Sequence, residues 1–565
     1  MRPIVIRPAA PTLNPRALLL GALVAAGASA AMASPATAQD CAALAGLSLP
    51  HARITLAREV VGGTFVEDNA VERAGRTYTG LPDFCRVRGV SSPVPGSEIE
   101  FEVWLPARDR WTHRLHMVGN GAYVSNLPYP AVIARLKRGD VAVATNTGHI
   151  GSELTFVIGK PESIVDFSHR AVHESVTAAK AVTAAFYGAP AAYSYFSGCS
   201  TGGYQGLSEA QRYPDDFDGI IAGAPGNNRS NLNLAFLWNF KINHRPGDDA
   251  TPILPQSKLP MITAAAIKTC DRLDGVVDGV INEPRACAFD PASIQCKADD
   301  QADCLTAEQV DVVRKFYKGP TDARTGKPIY PGYLPGTEGV IGGEDSSSPG
   351  WSGYWGNAKK PEPLRLDFFR YWVFGDPDWN WKAFNWGSDI DAIDARIGKT
   401  FNAVNPNLNR FKARGGKMIM FMGWQDPVGA AEEAINYYGD VEKTSKAGTV
   451  AARQAQTQDF LRLFMVPGMA HCAGGPGAVN FSTATRDSVP PVSDARHDMA
   501  VALEEWVEKA RAPDTLIATK FDRPKADDRK IVFQRPLCVY PKVARYEGGP
   551  TDQAASFACV APKVG

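Results

Sequence analysis

Along residues 98–225, short apolar runs alternate with longer stretches whose apolar positions recur at helical spacing. Residues 98–105, 113–118 and 141–145 predict strands, and 170–187 predicts a helix. A strand over 193–196 leads through a tight turn into a helix over 202–212, and a short apolar strand follows at 219–222. Strands separated by helices predict a largely parallel sheet covered on both faces.

From residue 227 the rhythm stops. Turn formers and aromatics dominate, with Trp351, Trp355, Trp372, Trp379, Trp381 and Trp386 in one stretch. So aromatic a segment is not a disordered linker. The rhythm resumes with a strand at 417–422, a helix at 432–438, a strand at 461–466 and an amphipathic helix at 495–509, which ends before Pro513. For 565 residues a prior of roughly 150 per domain suggests several domains in series. One α/β domain, residues 39–226 and 405–565, interrupted by an inserted lid domain over 227–404, accounts for the pattern better.

Sixty basic residues balance sixty acidic ones, so no global field favours nucleic acid or an anionic membrane. Beyond the first forty residues no apolar run reaches the ~18 needed to span a bilayer. The first forty differ. Arg2, Arg7 and Arg16 lie before or at the start of the apolar stretch 17–33, and Ala36-Thr37-Ala38 follows. That pattern reads as a secretory signal over 1–38, exporting the mature chain to periplasm or medium. A transmembrane anchor is the alternative, disfavoured by a short run rich in Ala, Gly and Ser. Ten cysteines remain, an even count that in an exported chain predicts five disulfides without fixing their pairing. A zinc site would need closer pairs than Cys296 and Cys304, the tightest spacing present.

Gly198-Cys199-Ser200-Thr201-Gly202 is a G-x-S-x-G motif between a predicted strand and a predicted helix. This is the setting of a nucleophile elbow in an α/β-hydrolase fold, with Ser200 as nucleophile. Serine needs a base and an orienting acid, which follow it in that fold in the order acid, then histidine. Asp426 follows the strand at 417–422 through Gly423-Trp424-Gln425, and His471 sits in the loop Pro467-Gly468-Met469-Ala470 after the last apolar strand. Against catalysis, Asp426 also reads as a helix N-cap and His471 as a loop histidine with satisfied hydrogen bonds. In the catalytic reading, His471 relays the serine proton, Asp426 holds the imidazole, and the Thr201 and Gly121 amides receive the oxyanion. If Cys199 and Cys472 pair, a covalent bond fixes the separation of nucleophile and base. Further on, Asp271, Asp274 and Asp278, spaced by glycines, suit either a hard cation or a solvated acidic turn.

The motifs Gly198-Cys199-Ser200-Thr201-Gly202-Gly203, Gly423-Trp424-Gln425-Asp426-Pro427, Pro467-Gly468-Met469-Ala470-His471-Cys472 and Phe368-Phe369-Arg370-Tyr371-Trp372 resemble the tannase and feruloyl esterase family of α/β-hydrolases. That family also includes the hydrolase of mono(2-hydroxyethyl) terephthalate. The resemblance covers nearly all of the mature chain. It implies a triad of Ser200, Asp426 and His471 and disulfides Cys41–Cys85, Cys199–Cys472, Cys270–Cys287, Cys296–Cys304 and Cys538–Cys559. It also implies a structural calcium in the lid, held by Asp271, Asp274 and Asp278 side chains with Val276 and Val280 carbonyls, and no organic cofactor. The implied substrate is a small aromatic ester of hydroxycinnamoyl or feruloyl type, with galloyl esters or a terephthalate monoester as alternatives. The monoester would need a lid cation for its free carboxylate. A monomer or weak homo-oligomer acting without nucleic acid or membrane is expected. A non-catalytic binding protein on the same scaffold would lose a triad member, and here all three stand in order. A lipase lid would carry an amphipathic apolar helix, which the pattern of 227–404 does not predict.

Overall fold

The structure, a computed structural model, describes residues 38–68, 75–339, 350–357, 359–483, 488–523 and 528–562. The signal read over 1–38 lies, but for Ala38, outside the described residues. The sheet contains β1 (Ala52–Val60), β2 (Phe84–Ser91), β3 (Ile99–Pro106), β4 (Arg114–Val118), β5 (Val141–Thr145), β6 (Tyr193–Cys199), β7 (Gly219–Gly223), β8 (Lys417–Gly423) and β9 (Leu461–Val466). Their spatial order is β1-β2-β3-β5-β4-β6-β7-β8-β9. The first four in that order pair antiparallel, and from β5 to β9 every neighbour is parallel.

The layering follows from side-chain alternation. On β5, Val141 and Val143 share a buried cluster with Val172, Val176 and Val182 of α2 (Ala171–Tyr187). Ala142 and Ala144 point the other way, into a cluster with Val132 and Leu136 of α1 (Tyr129–Lys137). A strand covered on both faces has no polar side to show. Helix α3 (Thr201–Arg212) leaves β6 directly.

β7 and β8 are hydrogen-bonded neighbours, with Lys417 opposite Gly219, so everything between them leaves the sheet and returns to the same place. That segment carries α4 (Arg229–Ile242), α5 (Leu259–Cys270) and α6 (Ala307–Lys318). Helix α6 corrects the expectation that the insertion lacks an amphipathic helix. It starts with a capping box, in which Thr306 receives the Gln309 amide and Gln309 reaches back to Thr306. Its apolar residues Val310, Val313 and Phe316 are buried against α5, Trp351 and Trp355, so this face is spent on the segment's own core. A second cluster joins Phe368, Phe369 and Trp372 to Tyr123, Leu154 and Phe167 from loops of the sheet. Between β8 and β9 the chain forms α7 (Ala431–Thr444) and α8 (Val450–Gln458). After β9 come α9 (Met499–Lys509) and a hairpin of β10 (Thr515–Phe521) and β11 (Ile531–Cys538). Among the described residues no helix is long and apolar enough to cross a membrane.

Candidate active site

β6 ends at Cys199, and Ser200 takes φ 63° and ψ −120° before α3 begins at Thr201. A non-glycine residue there stores about 1–3 kcal/mol, which the surroundings must hold. The Ser200 amide donates to the Gly223 carbonyl at 3.0 Å, and the Tyr204 amide donates to the Ser200 carbonyl at 3.0 Å. The neighbouring glycines are steric requirements. A Cβ on Gly198 would stand 2.6 Å from Gly202, and one on Gly203 would stand 2.0 Å from the Gly223 carbonyl oxygen.

Asp426 follows β8 and is 1% exposed. Its Oδ1 accepts the Val428 amide at 2.8 Å and the Gly429 amide at 3.3 Å. Its Oδ2 lies 2.7 Å from His471 Nδ1. An ionised carboxylate only accepts, so this contact assigns the ring proton to Nδ1 and leaves Nε2 as the acceptor. Helix α7 begins only at Ala431, with Ala430 at its cap position, so Asp426 caps a turn and not that helix. The Gln425 amide donates to the Met469 carbonyl at 3.0 Å, tying the acid loop to the histidine loop.

Ser200 and His471 are brought together through their neighbours: Cys199 and Cys472 form a disulfide with a Cα–Cα distance of 5.9 Å. No hydrogen bond joins Ser200 Oγ to His471 among the described residues. Nucleophile–base contacts are commonly loose without substrate and tighten on binding. The other four disulfides join Cys41–Cys85, Cys270–Cys287, Cys296–Cys304 and Cys538–Cys559. All five pairs are those the family resemblance implies.

The loop after β4 lies against the elbow. Its Gly119 amide donates to the Ser197 carbonyl and its Asn120 amide to Gln205 Oε1, at 2.9 and 3.0 Å. Both are therefore occupied, whereas no acceptor stands at the Gly121 amide among the described residues. Thr201 Oγ1 donates to the Ala122 carbonyl at 2.6 Å and accepts from Arg229 Nη1 at 3.1 Å. The sequence reading missed Gln205, Tyr123 and Arg229. No periodicity or motif marks them, since each acts through contacts made only in the folded chain.

Asp271, Asp274 and Asp278 occupy one loop and offer only hard oxygen donors, the class calcium takes. Asp271 accepts the Asp278 and Gly279 amides at 3.2 and 3.0 Å, Asp274 the Val276 amide and Asp278 the Val280 amide. The second Asp278 oxygen receives Arg535 of β11. Burial, with Asp278 and Asp271 alongside, pushes the Asp274 carboxyl up to about 6. Among the described residues no three carboxylate, imidazole or thiolate groups converge as a metal site. The donor class suits a hard cation, while the carboxylate oxygens as they stand are engaged by the loop's own amides and by Arg535. The loop also packs on the segment that leads to His471: a Cβ on Gly468 would stand 3.0 Å from Val280.

A mixed sheet that is parallel from β5 to β9, a strained serine at the end of β6 and a hydrogen-bonded Asp–His pair in the loops after β8 and β9 are the arrangement of an α/β-hydrolase. Residues 85–560 match the family described as tannase and feruloyl esterase. An uncharacterised esterase of Xanthomonas campestris is 36% identical, over 97% of this chain and 95% of that one. A probable feruloyl esterase B-2 of Aspergillus oryzae is 32% identical, over 93% and 96%. The crystal structure of feruloyl esterase B from Aspergillus oryzae superposes with a TM-score of 0.80 at 27% identity, covering 92% of this chain and 99% of that one. The chain belongs to the tannase and feruloyl esterase family and is a carboxylic ester hydrolase.

Proposed function

We propose that the protein is an exported serine esterase that cleaves hydroxycinnamoyl-type aromatic esters through an acyl-enzyme on Ser200. The supporting observation is the Cys199–Cys472 bond, which ties the residue before the strained serine to the residue after a histidine paired to a buried aspartate. In this reading His471 Nε2 takes the Ser200 proton as Oγ attacks the ester carbonyl. Asp426 keeps the ring proton on Nδ1 and stabilises the imidazolium. The Thr201 and Gly121 amides receive the oxyanion, each worth about 3–4 kcal/mol in the transition state. His471 then protonates the leaving alcohol, and water, deprotonated by the same ring, releases the acid.

Residues 227–404 act as the lid, with Trp372 and Tyr123 as the aromatic wall, their rings 5.5 Å apart and edge-on. Asp271, Asp274 and Asp278, with the carbonyls of Val276 and Val280, would hold a calcium ion. The ion would supply charge neutralisation for the loop, with no part in bond cleavage. Five disulfides and the 1–38 signal pattern support export to periplasm or medium.

The test is hydrolysis by purified residues 39–565 of methyl ferulate, methyl gallate and a terephthalate monoester, for wild type and Ser200→Ala. Turnover led by methyl ferulate and lost in Ser200→Ala is the expected result. A preference for gallate would move the enzyme to the tannase branch. Folded protein with no turnover, calcium present, would sink the esterase mechanism and leave a binding protein.

A further inference from the structure

Gly121 is exposed, and among the described residues a Cβ on it would meet nothing within 4 Å beyond its chain neighbours. Its carbonyl accepts the Val124 amide at 3.2 Å, a bond inside the same loop. No packing on the rest of the fold therefore holds this residue, and glycine has the most backbone freedom to lose. Its amide is preorganised only through Asn120 and Ala122 on either side.

Both neighbours are bonded to one face of α3. Thr201 and Gln205 stand four apart on that helix, the spacing that places two side chains together. Thr201 Oγ1 holds the Ala122 carbonyl at 2.6 Å. Gln205, 1% exposed, accepts the Asn120 amide on Oε1 at 3.0 Å and donates from Nε2 to Asn120 Oδ1 at 3.2 Å. Asn120 is buried in turn and donates from Nδ2 to the carbonyl of Thr145, the last residue of β5, at 2.8 Å. Main-chain groups fix the orientation of both side-chain amides: the Asn120 N–H requires an oxygen, and the Thr145 carbonyl requires an N–H. Gly119 leaves room for this arrangement, since a Cβ there would stand 3.0 Å from Gln205 Oε1.

We infer that Gln205 is a positioning residue for the oxyanion site: through Asn120 it holds the Gly121 amide in fixed relation to the Thr201 amide. The inference rests on the esterase reading above and assigns what sets the geometry of its oxyanion donors. A donor lowers the barrier when it is in place before charge develops, so loosening it weakens transition-state binding and spares the ground state.

The test uses Gln205→Met, which keeps the length and removes both bonds, with methyl ferulate as substrate and an aryl trifluoromethyl ketone as probe. Ser200 Oγ adds to the ketone carbon, its proton passes to His471, and the ketone oxygen becomes the oxyanion, with no leaving group to expel. Gln205→Met should lower kcat by about ten- to a hundredfold and raise the Ki of the ketone by a similar factor. The Kd of methyl ferulate for Ser200→Ala should be the same with and without Gln205→Met. Gln205→Glu keeps an acceptor for the Asn120 amide, and burial favours its neutral form, so it should retain more kcat than Gln205→Met. Asn120→Ala spares the main-chain bond to Gln205 and should lose less. The double variant should lose less than the product of the two single factors, because the two residues share one path. Val182→Ala, which opens a cavity beneath β5, controls for lost stability and should leave kcat and Ki unchanged below its Tm.

Wild-type kcat and Ki in Gln205→Met would overturn the inference while leaving the esterase intact. So would a Kd weakened as much as kcat, or losses in Gln205→Met and Asn120→Ala that simply multiply. A wild type that neither turns over an ester nor binds the ketone would overturn the esterase reading, and this inference with it.

Discussion

Asp426 gives one carboxylate oxygen to His471 Nδ1 at 2.7 Å and the other to the amides of Val428 and Gly429. The second oxygen fixes the first, because a carboxylate anchored on backbone amides cannot rotate away from the imidazole. Asp426→Asn keeps the size and a carbonyl oxygen but removes the charge and permits an amide N–H to face the ring. The wrong histidine tautomer is then favoured. We expect kcat to fall by about three to four orders of magnitude with KM little changed, the response of a triad that has lost its acid. Steady-state kinetics on methyl ferulate, beside a melting curve within a few degrees of wild type, check this.

The Cys199–Cys472 bond closes a loop of 273 residues in sequence, the longest of the five. A cross-link of that span stabilises chiefly by restricting the unfolded chain, typically by about 2–4 kcal/mol. It also holds the serine and histidine loops together, and Cys472 itself has φ 67°. The Cys199→Ala, Cys472→Ala double variant is expected to lose roughly 5–10 °C in Tm. It should also lose at least about tenfold in kcat, since small displacements of a positioned nucleophile are costly. Cys296→Ala with Cys304→Ala, which opens a loop of only 8 residues, should leave kcat alone. Equal losses of kcat in both variants would show that the first bond does not position the base.

The parallel half of the sheet was legible because burial on both faces makes its strands continuous apolar runs. β5 and β9 coincide with their predicted spans, and β4, β6, β7 and β8 differ by one to three residues at an end. β1 and β2 escaped the reading. β1 is an edge strand bearing Arg53, Arg58 and Glu59, and β2 buries Arg86 in full against Glu102 at 2.6 Å. A charge neutralised inside the fold looks like a surface charge in the sequence. Ser200, Asp426 and His471 could be nominated because chain order and strand ends constrain them, and the structure pairs the last two by a hydrogen bond. Gln205 and Arg229 could not be, since what singles them out is a contact with the loop after β4 or with Thr201 that forms only in the folded chain.

The acidic loop gives a prediction about metal removal. Asp271, Asp274 and Asp278 lie together, and Val280 packs on the loop that carries His471. Binding only to the folded chain stabilises it by mass action. If the loop holds calcium as proposed, chelation should lower Tm by several degrees, and calcium in excess should restore it. Magnesium should restore less, because it demands a smaller octahedral site. In Asp271→Asn with Asp274→Asn, Tm should no longer respond to calcium. A wild-type melting curve indifferent to chelator after exhaustive dialysis would remove calcium from the account.

Glu433 makes stability depend on pH in a direction opposite to that of most acidic residues. It stands in the first turn of α7, where burial, with Asp440 adding to it, pushes its carboxyl from 4.5 up to about 8, against a lowering hydrogen bond from Asn228. Between those values the folded chain holds a proton that the unfolded chain has released. Stability therefore falls as pH rises from about 4.5 to 8, and is unaffected by this group below that window. Every tenfold difference in proton affinity between folded and unfolded chain corresponds to about 1.4 kcal/mol, an upper figure for a side chain that keeps some contact with water. Glu433→Gln removes the ionisation while keeping the shape and the capacity to hydrogen-bond. Its Tm should match wild type near pH 4.5, exceed it increasingly through neutral pH, and lead by a few degrees at pH 8 and above. A Tm difference that does not change between pH 4.5 and 8 would mean that Glu433 ionises in the folded chain at an ordinary pH, reached by water.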